Sequence, residues 1–428
     1  MSWARGNARV VPDAWRRTAA VVAAAAFASG APAADLTIES RRADFADFVT
    51  TVADQYVYLD GKRAAWATVK ERYADRVDRA TTADAWSAVL EDALDELRDF
   101  HTGVRPNSAR AWLPVPSAAD LWAVPDRDGA RVVAVRAGSD AARAGIAVDD
   151  RVERVDGTAM ADAVAQRLGP AADARDADAR AWAILSLVTG RRGEPRTFVL
   201  HAADGRERTV TLPTQRKPDR PAAPVTWSRL PEDIGVIRFN NSLGDQATVA
   251  AFDAALAALR DTRGLILDLR DIPSGGNSGV ALGIMGRFVD RRVPYQRHRI
   301  PRYGQADVER NWVEEVAPRG PFTYRAPVVV LVGHWTGSMA EGMAIGFDAM
   351  RRATVAGTTM GRLAGANESF TLPRTGASIV LPTEELFHVD GTPRHRWAPP
   401  VVLPPGPAAD DAALEDARRR LNATPAAR

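Results

Sequence analysis

The chain contains no cysteine. A disulfide framework and thiolate metal sites are therefore excluded, and the absence suits an exported protein whose stray thiols would oxidise. Lysine is nearly as scarce: only Lys62, Lys70 and Lys217 occur in 428 residues. No window reaches the ~18 uninterrupted apolar residues that a membrane span needs, so no integral span is expected. The six histidines form no His-Glu-x-x-His or similarly spaced cluster, so no metal is expected. A basic block is missing too. The formal charge of +2 hides four arginines and one aspartate in residues 1–33, without which the chain sits near −1. Such a chain is a poor partner for nucleic acid.

What is present is globular in composition, with 46% hydrophobic and 26% charged residues, and long enough for two or three domains. Arg5, Arg9, Arg16 and Arg17 precede a short apolar run and Ala31-Pro32-Ala33. That layout predicts a signal peptide over 1–33, and hence export, with the periplasm as the expected compartment. Residues 34–110 show helical spacing. Phe45, Phe48, Val49, Val52 and Tyr56 form one stripe, and Trp86, Val89, Leu90, Ala93 and Leu97 another, the second starting near Thr81-Thr82. Over 111–214 the period changes to two, with strands expected at 131–135, 197–200 and 206–212 and an exposed helix at 171–180. A proline-rich linker at 215–224 follows. Strand, helix, strand over 234–269 predicts a βαβ unit and a parallel sheet within a core at 225–405. A hairpin turning at Thr375-Gly376 and a peripheral helix and tail over 406–428 complete the expected order.

Residues 328–350, VVVLVGHWTGSMAEGMAIGFDAM, read as a buried strand, a glycine turn and a helix, with Ser338 at the junction. The unpaired N–H groups of a helix N-terminus favour developing negative charge, which a nucleophilic serine needs. The competing reading is an N-cap serine. A second cluster, Gly275-Gly276 after the strand at 265–269, could bring backbone N–H groups close to a ligand; an ordinary turn is the alternative. The base for such a serine would come from among the histidines, of which His101 ends the helical region and His334 lies four residues before Ser338.

Together these segments resemble the S41 serine peptidases, the family of tail-specific proteases and tricorn core proteins. Leu97-Arg98-Asp99-Phe100-His101-Thr102 looks like the family's Leu-x-Asp-x-His-Thr. Residues 132–160 are similar to the core of a PDZ domain. GLILDLRDIPSGG at 264–276 resembles the family's G-L-I-L-D-L-R-x-N-x-G-G with one extra residue, and Thr336-Gly337-Ser338-Met339-Ala340-Glu341 matches Thr-x-Ser-x-x-Glu. The resemblance implies an α/β fold with a crotonase-like catalytic core, an N-terminal helical region and a PDZ-like β module. It implies Ser338 as nucleophile, Glu341 as its acidic companion, and the N–H groups of Gly276 and Met339 as oxyanion hole, with Gly275 as an alternative donor. No cofactor is implied. The partner would be a protein or peptide substrate, its C-terminus held by the PDZ-like module.

Tail-specific proteases take their base from a lysine where this chain has Arg362, which cannot give up its proton. The tricorn-like half of the family uses a histidine, matched by His101. That branch also needs a supporting carboxylate, for which Glu384, Glu385 and Asp390 are the candidates. The resemblance thus implies a serine endopeptidase acting through an acyl-enzyme. The alternatives left open are a weak or inactive relative that binds peptides, and a hydrolase of other acyl groups.

Overall fold

Two runs, GLILD and VVVLV, are apolar at every position because both faces of their strands are covered. In the computed structural model, which describes residues 36–169, 176–214, 220–301, 308–403 and 409–423, they form adjacent parallel strands, Gly264–Asp268 and Val328–Val332. The sheet they centre has six strands in the order Val401–Val402, Thr354–Gly357, Val328–Val332, Gly264–Asp268, Ile234–Phe239 and Val225–Arg229. All pairs are parallel except the last. Alternation then sorts the side chains. Leu265, Leu267, Val328 and Val330 meet the helices Ala247–Ala258, Ser278–Met285 and Met339–Ala349, while Ile266, Val329 and Leu331 point to the other face.

That other face is covered by the C-terminal helix, Ala409–Ala423, which places Ala413, Ala417 and Leu421 in the core. The expectation of a peripheral helix is thereby corrected. Its charged composition belongs to the outer side, and three small or apolar positions at helical spacing suffice to seal the sheet.

The N-terminal helices Ile38–Gln55 and Ala83–Asp95 begin at Thr37 and Thr82, whose hydroxyls accept from the N–H of Ser40 and Ala85. Both expected apolar stripes are buried, Val49 only partly, and they close over Leu372, Ala377, Ile379 and Leu381 of the late hairpin. A five-stranded sheet carries this hairpin: Ala366–Thr371 and Gly103–Arg105 flank Ser378–Phe387, whose far end pairs with Val293–Ile300, itself followed by Arg310–Val316. The last two strands escaped the sequence reading because Arg297, Arg299, Glu314 and Glu315 mask their alternation.

Residues 121–212 form an antiparallel sheet with its main strands in the order Leu121–Asp126, Gly129–Val135, Arg151–Val155, Arg196–His201 and Glu207–Leu212. Of the exposed helix expected at 171–180, residues 171–175 lie outside the described residues, and 177–180 form the first turn of a longer helix. The helix runs over Ala177–Thr189, and Trp182, Ala183, Ile184, Leu185 and Val188 are buried, because the apolar half of the element lies beyond the Asp/Ala/Arg-rich stretch. Residues 1–33 and the linker core at 215–219 lie outside the described residues.

Candidate active site

Ser338 is the N-cap of Met339–Ala349, but its backbone is not that of an ordinary cap. Its φ of 52° and ψ of −114° fall where glycine is normally required. A side chain held there stores about 1–3 kcal/mol of strain, which surrounding contacts must sustain. Glu341 supplies them. Its side chain is fully buried and accepts the N–H of Ser338 (2.7 Å) and Leu363 (3.2 Å) on one oxygen and that of Arg362 (2.9 Å) on the other. Burial raises its pKa to about 7, against the opposing pull of Arg394 and of these three donors.

Gly275 lies against Ser338. A Cβ at Gly275, where φ is +64°, would stand 2.5 Å from Ser338 Cβ, 2.9 Å from Met339 N and 3.0 Å from Ser338 Oγ. The missing side chain therefore leaves a cradle in front of the hydroxyl. Gly276 is packed differently: a Cβ there would be 2.2 Å from the Leu243 carbonyl carbon. Among the described residues, neither the Gly276 nor the Met339 N–H has an intramolecular acceptor. Two free donors and a hydroxyl around an open cradle can hold a carbonyl oxygen that gains charge.

His101 is half-buried beside the same loop. Asp99 shapes its turn by accepting the His101 N–H (2.8 Å), while the carbonyl of Asp99 takes the Thr102 hydroxyl (2.9 Å). The imidazole Nδ1 lies 2.6 Å from the carbonyl oxygen of Ala364. A carbonyl can only accept, so Nδ1 carries the proton and Nε2 is left as an acceptor. Burial holds the imidazole below its ordinary pKa, hence neutral at pH 7. No hydrogen bond joins His101 to Ser338. They are linked instead through the segment 361–365. Its Arg362 and Leu363 amides bind Glu341, its Ala364 carbonyl binds His101, and its Leu363 and Gly365 carbonyls accept from the buried Arg394.

The other expected residues lie elsewhere. Glu384 meets His298 Nδ1, Glu385 meets Arg299 Nε, and Asp390 is 3.0 Å from His388 Nδ1; no described contact joins any of the three to His101. The acidic group found at His101 is Asp99, whose second oxygen accepts the Tyr56 hydroxyl (2.9 Å). Its signal was in the sequence, two residues before the histidine. Arg362 turns its guanidinium toward the His395 carbonyl (3.2 Å) and Asp178 (3.4 Å). His334 stacks on Trp122 at 4.8 Å, and burial lowers its pKa to about 4. Lys62 sits beside Tyr56 and the Leu97 carbonyl, a proximity that sequence spacing did not signal.

Comparison with known proteins adds two family matches. Residues 233–400 match the model of peptidase family S41, and residues 39–95 that of the tricorn protease C1 domain. No curated protein sequence matches the chain. Among solved structures, mature CPAF superposes with a TM-score of 0.59 at 15% identity, covering 90% of this chain and 96% of that one. A photosystem II D1 C-terminal processing protease gives 0.54 at 20% identity over 86% and 94%. A putative peptidase from Parabacteroides merdae ATCC 43184 gives 0.53 at 17% over 90% and 97%. These likenesses show a shared fold. The family match spans Gly275, Ser338, Glu341 and the 361–365 segment, and over residues 233–400 the chain carries the peptidase family S41 domain of a serine-type peptidase.

Proposed function

We propose that the chain is an exported, periplasmic serine endopeptidase acting on extended or unfolded protein substrates. Ser338 is the nucleophile and His101 the general base. The observation that carries this reading is the cradle at Gly275, with the strained Ser338 hydroxyl and the unengaged N–H groups of Gly276 and Met339 around it. His101 Nε2 takes the hydroxyl proton as Oγ attacks the scissile carbonyl. The carbonyl oxygen, now negative, is held by the two amides. His101 then returns the proton to the departing amine, leaving an acyl-enzyme, and later takes one from water to release the acid. Glu341 orients the nucleophile's backbone. Substrate binding closes the gap between Nε2 and Oγ, since catalytic hydrogen bonds are often long in resting sites.

In this reading the domain order is the expected one: signal peptide at 1–33, helical region at 34–110, PDZ-like module at 111–214 and crotonase-like core at 225–405. The module presents its antiparallel sheet to the end of a peptide substrate. The parallel strands Gly264–Asp268 and Val328–Val332, each followed by a helix at the site, agree with such a core.

A fluorophosphonate probe tests the assignment. Wild type should label at Ser338, with Ser338→Ala unlabelled and His101→Ala slowed by ~10²–10⁴, the usual range for a general base. Equal labelling of wild type and Ser338→Ala would sink the nucleophile, and undiminished labelling of His101→Ala the base.

A further inference from the structure

We propose that Glu153, His201 and Glu207 form a divalent-cation site suited to Zn²⁺ on the solvent side of the antiparallel sheet of residues 121–212. The three side chains come from three neighbouring strands. His201 ends Arg196–His201 and stands directly opposite Glu207, which begins Glu207–Leu212. On the other side, Arg151–Val155 pairs with the histidine's strand through a bulge between Val152 and Arg154, which leaves Glu153 as the extra residue. A bulge re-aims the side chain it frees. The Glu153 carboxylate comes to 3.0 Å from His201 Nε2, and that of Glu207 to 3.3 Å.

Two features point to an ion rather than to simple pairing. His201 Nε2 is shielded from solvent, yet it makes no well-directed hydrogen bond to either carboxylate. A carboxylate oxygen of each glutamate lies beside that nitrogen, and all three ligand atoms lie within 4.8 Å of one another. A tetrahedral Zn²⁺ with bonds of about 2.0–2.1 Å places its ligand atoms about 3.3 Å apart, close to both nitrogen–oxygen distances here. The local cations are engaged elsewhere. Arg151, opposite His201, is 3.9 Å from Asp126, while Arg208 binds Asp150 and the Gly145 carbonyl (2.8 Å). One imidazole and two carboxylates match the ligand preferences of Zn²⁺ and leave its fourth position to water. The bound ion would tie three strands together, remote from Ser338 in role, and the proposal stands independently of the catalytic reading.

The test uses the full chain without an affinity tag, stripped with EDTA and titrated with ZnCl₂ by calorimetry. One equivalent should bind, and Co²⁺ should give the visible absorption of a tetrahedral site. Loss of an outer-shell partner alone weakens metal sites 10–100-fold, so His201→Ala and Glu207→Gln should each weaken binding by more than about 100-fold. His101→Ala should bind as wild type does. Zn²⁺ should raise the melting temperature of wild type and leave that of His201→Ala unchanged. Absence of binding, or binding that survives His201→Ala, overturns the site and leaves an ion pair only.

Discussion

Gly275 and Gly276 are adjacent, yet adding one methyl group to each should fail in opposite ways. At Gly275 the new Cβ would lie 2.5 Å from Ser338 Cβ, 2.9 Å from Met339 N and 3.0 Å from Ser338 Oγ. The left-handed backbone costs a non-glycine residue about 1–2 kcal/mol, and relieving the contact costs about 1–3 kcal/mol more. A protein with a typical stability of about 5–15 kcal/mol survives that loss. The cradle does not, because the methyl occupies the space in front of the hydroxyl and the Met339 amide. One oxyanion donor is worth about 10²–10³ in rate, so Gly275→Ala should react with a fluorophosphonate at least ~10³-fold more slowly while remaining folded. At Gly276 the methyl would meet the Leu243 carbonyl carbon, oxygen and Cβ at 2.2–2.4 Å. Main chain cannot swing aside, so Gly276→Ala should lose more stability than Gly275→Ala. Guanidinium unfolding followed by circular dichroism measures the one effect, and probe labelling the other. If folded Gly275→Ala labels within about tenfold of wild type, less than one donor is worth, the cradle is not where the oxyanion forms.

Glu341→Gln should lose at least one of three backbone hydrogen bonds, each worth about 0.5–1.5 kcal/mol to the neutral acid and about 1.5–3 kcal/mol to the carboxylate, and slow labelling along with the loss of stability; unchanged stability would refute its role as anchor. Labelling should fall as pH drops below the ordinary histidine range through the lowered pKa of His101, because only the neutral ring accepts the proton; a flat profile down to pH 4 in a folded protein contradicts this. Burial lowers the pKa of His334 to about 4. Its neutral burial therefore contributes stability that is fully present above pH 6.5 and lost as pH falls toward 4, about 3 kcal/mol in all. His334→Phe keeps the stack on Trp122 and should flatten that slope in acid unfolding. Leu421→Ala should cost about 2–5 kcal/mol, as a buried leucine does and a peripheral one does not, read from the denaturation midpoint.

The apolar strands and helical stripes of the core were legible because burial on both faces, or on one, writes a period into the chain. Ser338, Glu341 and His101 could be singled out for the same reason that motifs work: a strained turn and its anchor need fixed residue types at fixed spacing. What stayed hidden was long-range. Nothing near Glu384 or Glu385 signals that His298 and Arg299, from a strand far earlier in the chain, would engage them. The C-terminal helix was misread because its charges outnumber the few positions that seal the sheet. Arg394 was likewise silent, since only the folded chain brings it under the carbonyls of Leu363 and Gly365.

Those carbonyls belong to a segment whose ties to Glu341, His101 and Arg394 are all made by main-chain atoms. An alanine scan across it would report the packing of Leu363 and little else, passing over the element that holds His101 and Ser338 in one frame. By the same token, position 362 can exchange its side chain without touching the Glu341 bond. Arg362→Lys restores a lysine to the chain but leaves the frame, and the histidine built into it, as they are.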